Sequence, residues 1–324
     1  WTGLIGIVIY AVPMYFAGIT QGLMWKEFTP DGFLAYPNFL ETVLHIIPMY
    51  VIRSVGGALY LASVIVGAYN LYKTMKSGKL LADEATQAPA LEPKFAAAGH
   101  DATPHRWLER RPVQFTILTV VAILIGGVVQ MIPTFLIESN IPTIANVKPY
   151  TPLELQGRDI YVREGCYTCH SQLVRPFRSE TERYGEYSKA GEFVYDHPFQ
   201  WGSKRTGPDL HRVGGKYPDA WHYNHMIDPP SMSPGSIMPS YNWLAKNALD
   251  VGSTPAKIRA MQALGVPYPE GYDGIAIDDL NAQAEKVVAG LKEAGINSSA
   301  DKEIVALIAY LQRLGRDIKP VSTQ

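Results

Sequence analysis

The chain has 324 residues, room for two or so domains, with 18% charged residues and a formal net charge of −1. So even a balance excludes a strong polyelectrolyte partner, and nucleic acid with it. The hydrophobic fraction is an ordinary 47%, but long apolar runs crowd the first 140 residues while the remainder has a soluble composition. The chain opens on Trp1 inside an apolar run with no basic stretch before it. Residues 1–24 are therefore not expected to be a cleaved signal peptide, and the chain is expected to be a piece of a longer polypeptide.

Three stretches are long enough to cross a bilayer, which takes about 20 apolar residues. The first runs over about Gly3–Trp25 and contains Pro13, which a membrane helix tolerates. Its Gly18 and Gly22, four apart, predict a close-packing face. The second runs over about Pro48–Tyr72, where Ser54, Ala58 and Ala62 predict a small-residue stripe. The third, about Val113–Ile137, follows Arg110-Arg111-Pro112, and proline suits the first helical turn because its missing N–H costs nothing there. Trp25, Tyr69, Tyr72 and Trp107 lie near span ends, as an aromatic belt would place them.

Lys and Arg set the orientation. The loop between spans two and three carries Lys73, Lys76, Lys79, Lys94, Arg106, Arg110 and Arg111, against Lys26 alone between spans one and two. The basic loop is expected to be cytoplasmic, which sends the chain after Glu138 to the opposite, periplasmic side. Residues 77–105, without apolar periodicity, read as a linker. Arg53, at the edge of span two, reads either as a partner for a buried carboxylate, a cofactor's included, or as a snorkelling side chain; its shallow position favours the second.

In the soluble part, Thr151-Pro152-Leu153-Glu154 is a capping box, and Leu153, Gly157, Ile160 and Tyr161 share one helical face after it. Next comes Cys166-Tyr167-Thr168-Cys169-His170, the C-x-x-C-H signature of c-type haem attachment, and these are the chain's two cysteines. Two thiols three positions apart can add to the two vinyl groups on one haem edge, and His170 then falls under the iron. Both cysteines being so used, no disulfide framework is left, while haem attachment itself implies assembly outside the cytoplasm.

Candidate sixth ligands are Met226, Met232, Met238 and Met261 with His197, His211, His222 and His225. Cytochromes c often place the ligand methionine before a proline, which favours Met238 in Ile237-Met238-Pro239 over Met232 in Ser231-Met232-Ser233-Pro234. Thr206-Gly207-Pro208-Asp209-Leu210 resembles the turn whose proline carbonyl fixes the proximal histidine, making Pro208 the partner of His170. Between Glu270 and Glu303, eight acids face three bases, which reads as a solvated insert or as a docking surface for a basic soluble cytochrome. A last helix is expected over Asp301–Leu314, with Ser299 as N-cap, a stripe of Ile304, Leu307, Ile308, Leu311 and Leu314, and Gly315 as its end. A helix before the haem motif and one at the end, packed across each other, resemble a class I cytochrome c.

At Glu164–Arg178 and Gly207–Asp228, extended by Ser231–Tyr241, the chain from about residue 100 resembles the monohaem cytochrome c subunit of cbb3-type cytochrome c oxidase. Pro230 departs from it, standing where a basic residue is common. Gly18–Trp25 and Pro48–Tyr72 resemble the last two membrane helices of the catalytic subunit of the same oxidase, whose haem and copper histidines lie upstream and have no counterpart here. The resemblance implies a mainly α chain, transmembrane helices followed by a periplasmic class I cytochrome c domain. It divides into two catalytic-subunit-like helices (1–76), a cytoplasmic linker (77–105), an anchor helix (106–140) and a monohaem domain (141–324). It further implies one covalent haem c on Cys166 and Cys169, with His170 and Met238, or Met232, as axial ligands. The implied partners are the catalytic haem-copper subunit, a dihaem cytochrome c subunit, a soluble periplasmic cytochrome c donor and membrane lipid. Rival readings are the cytochrome subunit of a nitric oxide reductase and a membrane-anchored haem sensor.

Overall fold

The computed structural model describes residues 1–78, 104–109, 111–137, 142–202 and 204–318. They fall into two compact units, Trp1–Val64 with Thr143–Gln324, and Ile65–Pro142. Most of the expected linker, with Lys79, Lys94 and Arg110, lies outside the described residues. Among the described residues the regular structure is helical, with two isolated bridges, Phe28 to Leu34 and Ala248 to Lys302.

Among the described residues three helices are long and apolar enough to cross a membrane: α1 (Thr2–Lys26), α2 (Phe39–Ser77) and a third over Pro112–Thr134. At 1.5 Å per residue, α2 is about 58 Å long, well beyond the roughly 30 Å of a bilayer core. A short helix, α3 (Pro104–Glu109), precedes the third span, which runs as α4 over Pro112–Leu136 with Pro112 in its first turn. The α1–α2 crossing is made by small residues other than those the spacing picked out. A Cβ on Gly56 would lie 2.5 Å from the Tyr10 amide nitrogen, and one on Gly6 would lie 2.7 Å from that of Tyr60, whereas Gly18 and Gly22 meet nothing within 4 Å. The backbones touch at Gly6 and Gly56, and Ser54, Ala58 and Ala62 are exposed. Spacing finds small residues but not the turn at which two axes cross. Arg53 is half-buried, its guanidinium over the rings of Tyr50 (5.1 Å) and Tyr10 (6.0 Å).

In the soluble region α5 (Pro152–Arg163) forms as its capping box dictates: Thr151 Oγ1 accepts from the Glu154 N–H, and Glu154 Oε2 accepts from the Thr151 N–H. It crosses the last helix, α11 (Glu303–Arg313), at Gly157, where a Cβ would fall 1.9 Å from the Ala306 carbonyl oxygen. Ile304, Leu307, Ile308, Leu311 and Leu314 are all buried, each stabilising the core by roughly 1.5–3 kcal/mol. Gly315 ends the helix at φ +70° and lies so close to His211 that a Cβ would meet the His211 carbonyl oxygen.

The start of the last helix differs from expectation. Helix α11 starts at Glu303, two residues late, because the Leu249 N–H bonds the Asp301 carbonyl (2.7 Å) and holds Lys302 extended at φ −93°, ψ 139°. Ser299 donates its hydroxyl to Asp301 and caps nothing. The acidic stretch contains α10 (Ala276–Glu293), an amphipathic helix that buries Ala276, Leu280, Ala284 and Leu291. Asp279 accepts from the Tyr272 hydroxyl, Asp273 pairs with Arg259 at 2.8 Å, and Glu303 with Arg163 at 2.6 Å. With Asp301, four of the eight acids are thus held within the domain, Asp273 by the arginine of α9 (Thr254–Ala263).

The loop joining α1 to α2 lies against the soluble region. Arg183, on α6 (Arg178–Tyr184), donates to the carbonyls of Tyr36 (2.7 Å) and Pro37 (2.9 Å). Arg178 donates to that of Gly32 (2.7 Å), its guanidinium 4.5 Å from the centre of the Phe28 ring.

Candidate functional site

The C-x-x-C-H segment leaves the end of α5 through Gly165, whose φ of +71° makes the turn. A single turn over Cys166–Thr168 then brings the His170 N–H onto the Cys166 carbonyl (2.9 Å). Both thiols are free; Cys169 is exposed, and half-buried Cys166 packs against the main core. Burial, helped by the charge of Glu164, pushes the Cys166 thiol up to about 12, so it remains protonated at neutral pH.

His170 is fixed from behind. Its Nδ1 lies 2.8 Å from the Pro208 carbonyl oxygen, which can only accept, so Nδ1 carries the proton and Nε2 keeps its lone pair. Burial holds the imidazole below its ordinary pKa, against the opposing Pro208 contact, and so in the neutral form that binds metal. The turn carrying Pro208 is tied to the motif by the Gly207 N–H, which bonds the Cys169 carbonyl (2.9 Å). Gly207 is a cradle: a Cβ there would lie 2.3 Å from His170 Cε1.

The residues fit a haem on these observations. Two free thiols flank one turn, the histidine has one nitrogen engaged and, among the described residues, no hydrogen bond at the other. His225 Nδ1 and His222 Nε2 are buried and without partners in the same region. Both belong to α7 (Asp219–Ile227), and burial lowers each imidazole to about 4, with a further push on His225 from His170.

The other six sixth-ligand candidates separate. Met226 and Met261 are core residues, 8% and 7% exposed. His211 is locked, its Nδ1 2.5 Å from Ser188 Oγ and its ring stacked on Phe193 at 4.6 Å. His197 is exposed and presents its carbonyl to Arg158. Met232 ends a short helix, α8 (Pro229–Met232). Met238 is half-buried and packs, with Cys166 and Tyr241, against the main core. Its loop is pinned to the end of α7 by Ser240 Oγ on the Ile227 carbonyl (2.6 Å) and the Tyr241 N–H on that of Met226 (2.8 Å).

Behind the motif lies a charged network that no sequence pattern announced. Ser171 Oγ donates to Asp209 Oδ2 (2.6 Å), which also accepts the Leu173 N–H (2.8 Å). Burial raises the Asp209 carboxyl despite these bonds. Arg205 Nε donates to Ser171 Oγ (2.8 Å), its NH2 to the Leu173 carbonyl (2.8 Å), and its NH1 to Glu180. Burial alone would raise Glu180, but Arg205 and Arg175 together hold it below the ordinary range. Gln172 and Tyr310 bond each other (3.0 Å), linking the residue after Ser171 to α11.

Residues 105–318, more than half of the chain, match the family described as cytochrome c oxidase, mono-heme subunit/FixO. The chain belongs to that family, and three of its described helices are apolar and long enough to cross a membrane. It is also similar to proteins named as other subunits of cytochrome c oxidases. It shares 43% identity over 93 residues with a cytochrome c oxidase subunit 1 homolog of Bradyrhizobium diazoefficiens, covering 29% of this chain and 16% of that protein. Identity is 46% over 90 residues with cytochrome c oxidase subunit 1 of Rhodobacter capsulatus (28% and 17%). It is 40% over 79 residues with the cbb3-type subunit CcoN1 of Stutzerimonas stutzeri (24% and 16%). The chain spans about a sixth of the length of these relatives.

Proposed function

We propose that this chain relays electrons through one covalently bound haem c, from a periplasmic donor or a dihaem subunit to the haem-copper core that reduces dioxygen. When bound, the haem supplies one-electron redox chemistry; the chain holds and tunes it. Cys166 and Cys169 are the attachment thiols. His170, kept neutral and in one tautomer by Pro208, and Met238 would hold the iron and close it to outside ligands. The observation that carries this reading is the His170 Nδ1 bond to the Pro208 carbonyl, which leaves Nε2 for a metal in a chain of the mono-heme family.

We further propose that residues 1–76 are the last two helices of a catalytic subunit joined to this cytochrome. The similarity to subunit 1 proteins, 79 to 95 residues long, supports this, being no longer than the segment before the family match. The haem domain lies on the periplasmic side in this reading. Support comes from the basic residues after α2 and from the α1–α2 loop lying against α6.

Met238→Ala tests the ligation. Cys166 and Cys169 should still hold the haem, the potential should fall, and reduced protein should bind carbon monoxide. The assignment is wrong if Met232→Ala does this and Met238→Ala does not. Carbon monoxide binding to the unaltered reduced protein would favour a haem sensor instead.

A further inference from the structure

The turn Arg205–Asp209 has two faces. One presents Gly207 and Pro208 to His170. The other presents Arg205 to the end of α1, where its guanidinium lies 5.9 Å from the centre of the Trp25 ring. The Arg205 carbonyl accepts from Gln21 Nε2 (3.1 Å), and Trp25 packs on Phe39 at the start of α2, ring centres 5.6 Å apart. Since Arg205 Nε also holds Ser171 Oγ, an unbroken set of contacts runs from the residue next to His170 to an aromatic ring on the helix pair.

This seam is poorly built for stability alone. The Arg205 side chain is 8% exposed, and two buried polar atoms around it, Trp25 Nε1 and Glu180 Oε2, have no partner among the described residues. An unpaired buried polar group destabilises the fold, which a phenylalanine and an apolar neighbour would avoid. Electron tunnelling, by contrast, falls steeply with any gap between atoms and gains from packed, polarisable contacts.

We propose that Arg205 and Trp25 form the exit route for electrons from the haem at His170, with Arg205 the positioning residue and Trp25 the aromatic contact on the acceptor's side. The proposal rests on the electron-relay reading above. The step moves one electron and no atom: haem c is oxidised and a haem iron of the catalytic subunit is reduced.

The test uses the intact oxidase complex, reduced, blocked with carbon monoxide, and photolysed in the presence of oxygen while haem c absorbance is followed. Trp25→Leu should slow haem c oxidation by about tenfold or more, the scale of a small misplacement in a transfer geometry. Trp25→Phe should stay near the parent rate. Arg205→Lys, which keeps the charge but cannot span Ser171 and Trp25, should be slowed like the leucine variant, and it decides the matter if that variant does not assemble. Haem content and reduction potential should match the parent in all three. Parent rates in Trp25→Leu or Arg205→Lys, or slowing that a shifted potential explains, would overturn the route. If haem c in the unaltered complex stays reduced while oxygen is consumed, the relay reading itself fails, independently of Trp25.

Discussion

Two helix crossings in this molecule are made the same way and held for different reasons. At Gly6 and Gly56, α1 meets α2, and at Gly157, α5 meets α11; in each, a Cβ would fall within 3 Å of the facing backbone. Around Gly157 lies a closed apolar core with Leu153, Ile160, Tyr161, Ile304, Leu307 and Tyr310 all buried. Around Gly56 most of α2 is exposed to what would be lipid, and its buried residues are Thr42, Val43, Ile46 and Gly56. In water, burying side chains drives association, and glycine merely allows it. In lipid, tails are as apolar as leucine, so close backbone contact is itself much of what holds two helices together.

That contrast can be broken most sharply at Gly157. Gly157→Ala places a methyl on the Ala306 carbonyl and should destabilise the haem domain by at least about 3 kcal/mol, leaving little holo-protein by haem stain. A normal haem yield would show that the crossing yields freely.

Acid separates the two regions next. His211 is lowered to about 3, chiefly by burial with help from Arg212. It is neutral when folded and has an ordinary pKa when unfolded, so the unfolded chain binds more protons below about pH 6.5. Stability should be full above that pH and fall, by up to about 1.4 kcal/mol per unit, down to about pH 3. His222 and His225, lowered to about 4, act in the same direction. Melting of the haem domain at pH 7, 5.5 and 4 should show the slope, and His211→Asn should reduce it. An unchanged slope in that variant would assign the acid sensitivity elsewhere.

Gly56→Ala is a milder break. It should loosen the α1–α2 pair by about 1–3 kcal/mol and leave haem attachment intact. Cysteine cross-linking between the two helices should fall while haem stain does not, and loss of haem would mean that the regions are not separable. The smallest effect is Thr151→Ala, which removes the α5 cap and should cost the haem domain about 1 kcal/mol. No such variant exists for α1 or α4, whose N-termini carry no side-chain cap.

What could be read from the sequence was what is decided locally. The capping box at Thr151, the proline opening α4 and the buried stripe of α11 depend on near neighbours and came out as expected. The start of α11 depends on Leu249 bonding Asp301 from far along the chain, so it shifted. In α10 the acids masked four core positions, Ala276, Leu280, Ala284 and Leu291, whose small and large side chains give a weak periodic signal. The same division holds at the site. C-x-x-C-H and the Pro208 turn are compact patterns, and His170 meets Pro208 as their resemblance implied. Arg205 is a lone arginine in sequence, and 184 positions separate it from Gln21, so its place between Ser171 and Trp25 had no pattern to announce it.

The arginines of α6 grip the α1–α2 loop by its main-chain carbonyls, at Gly32, Tyr36 and Pro37. A carbonyl is the same whichever residue bears it. Such a grip recognises the path of the loop rather than its spelling, so most side chains from Thr29 to Asn38 are free to drift without a matching change on the cytochrome. What has to be inherited together is the bend of one partner and the reach of the other. Between two segments of one chain, that is a tolerant form of fidelity.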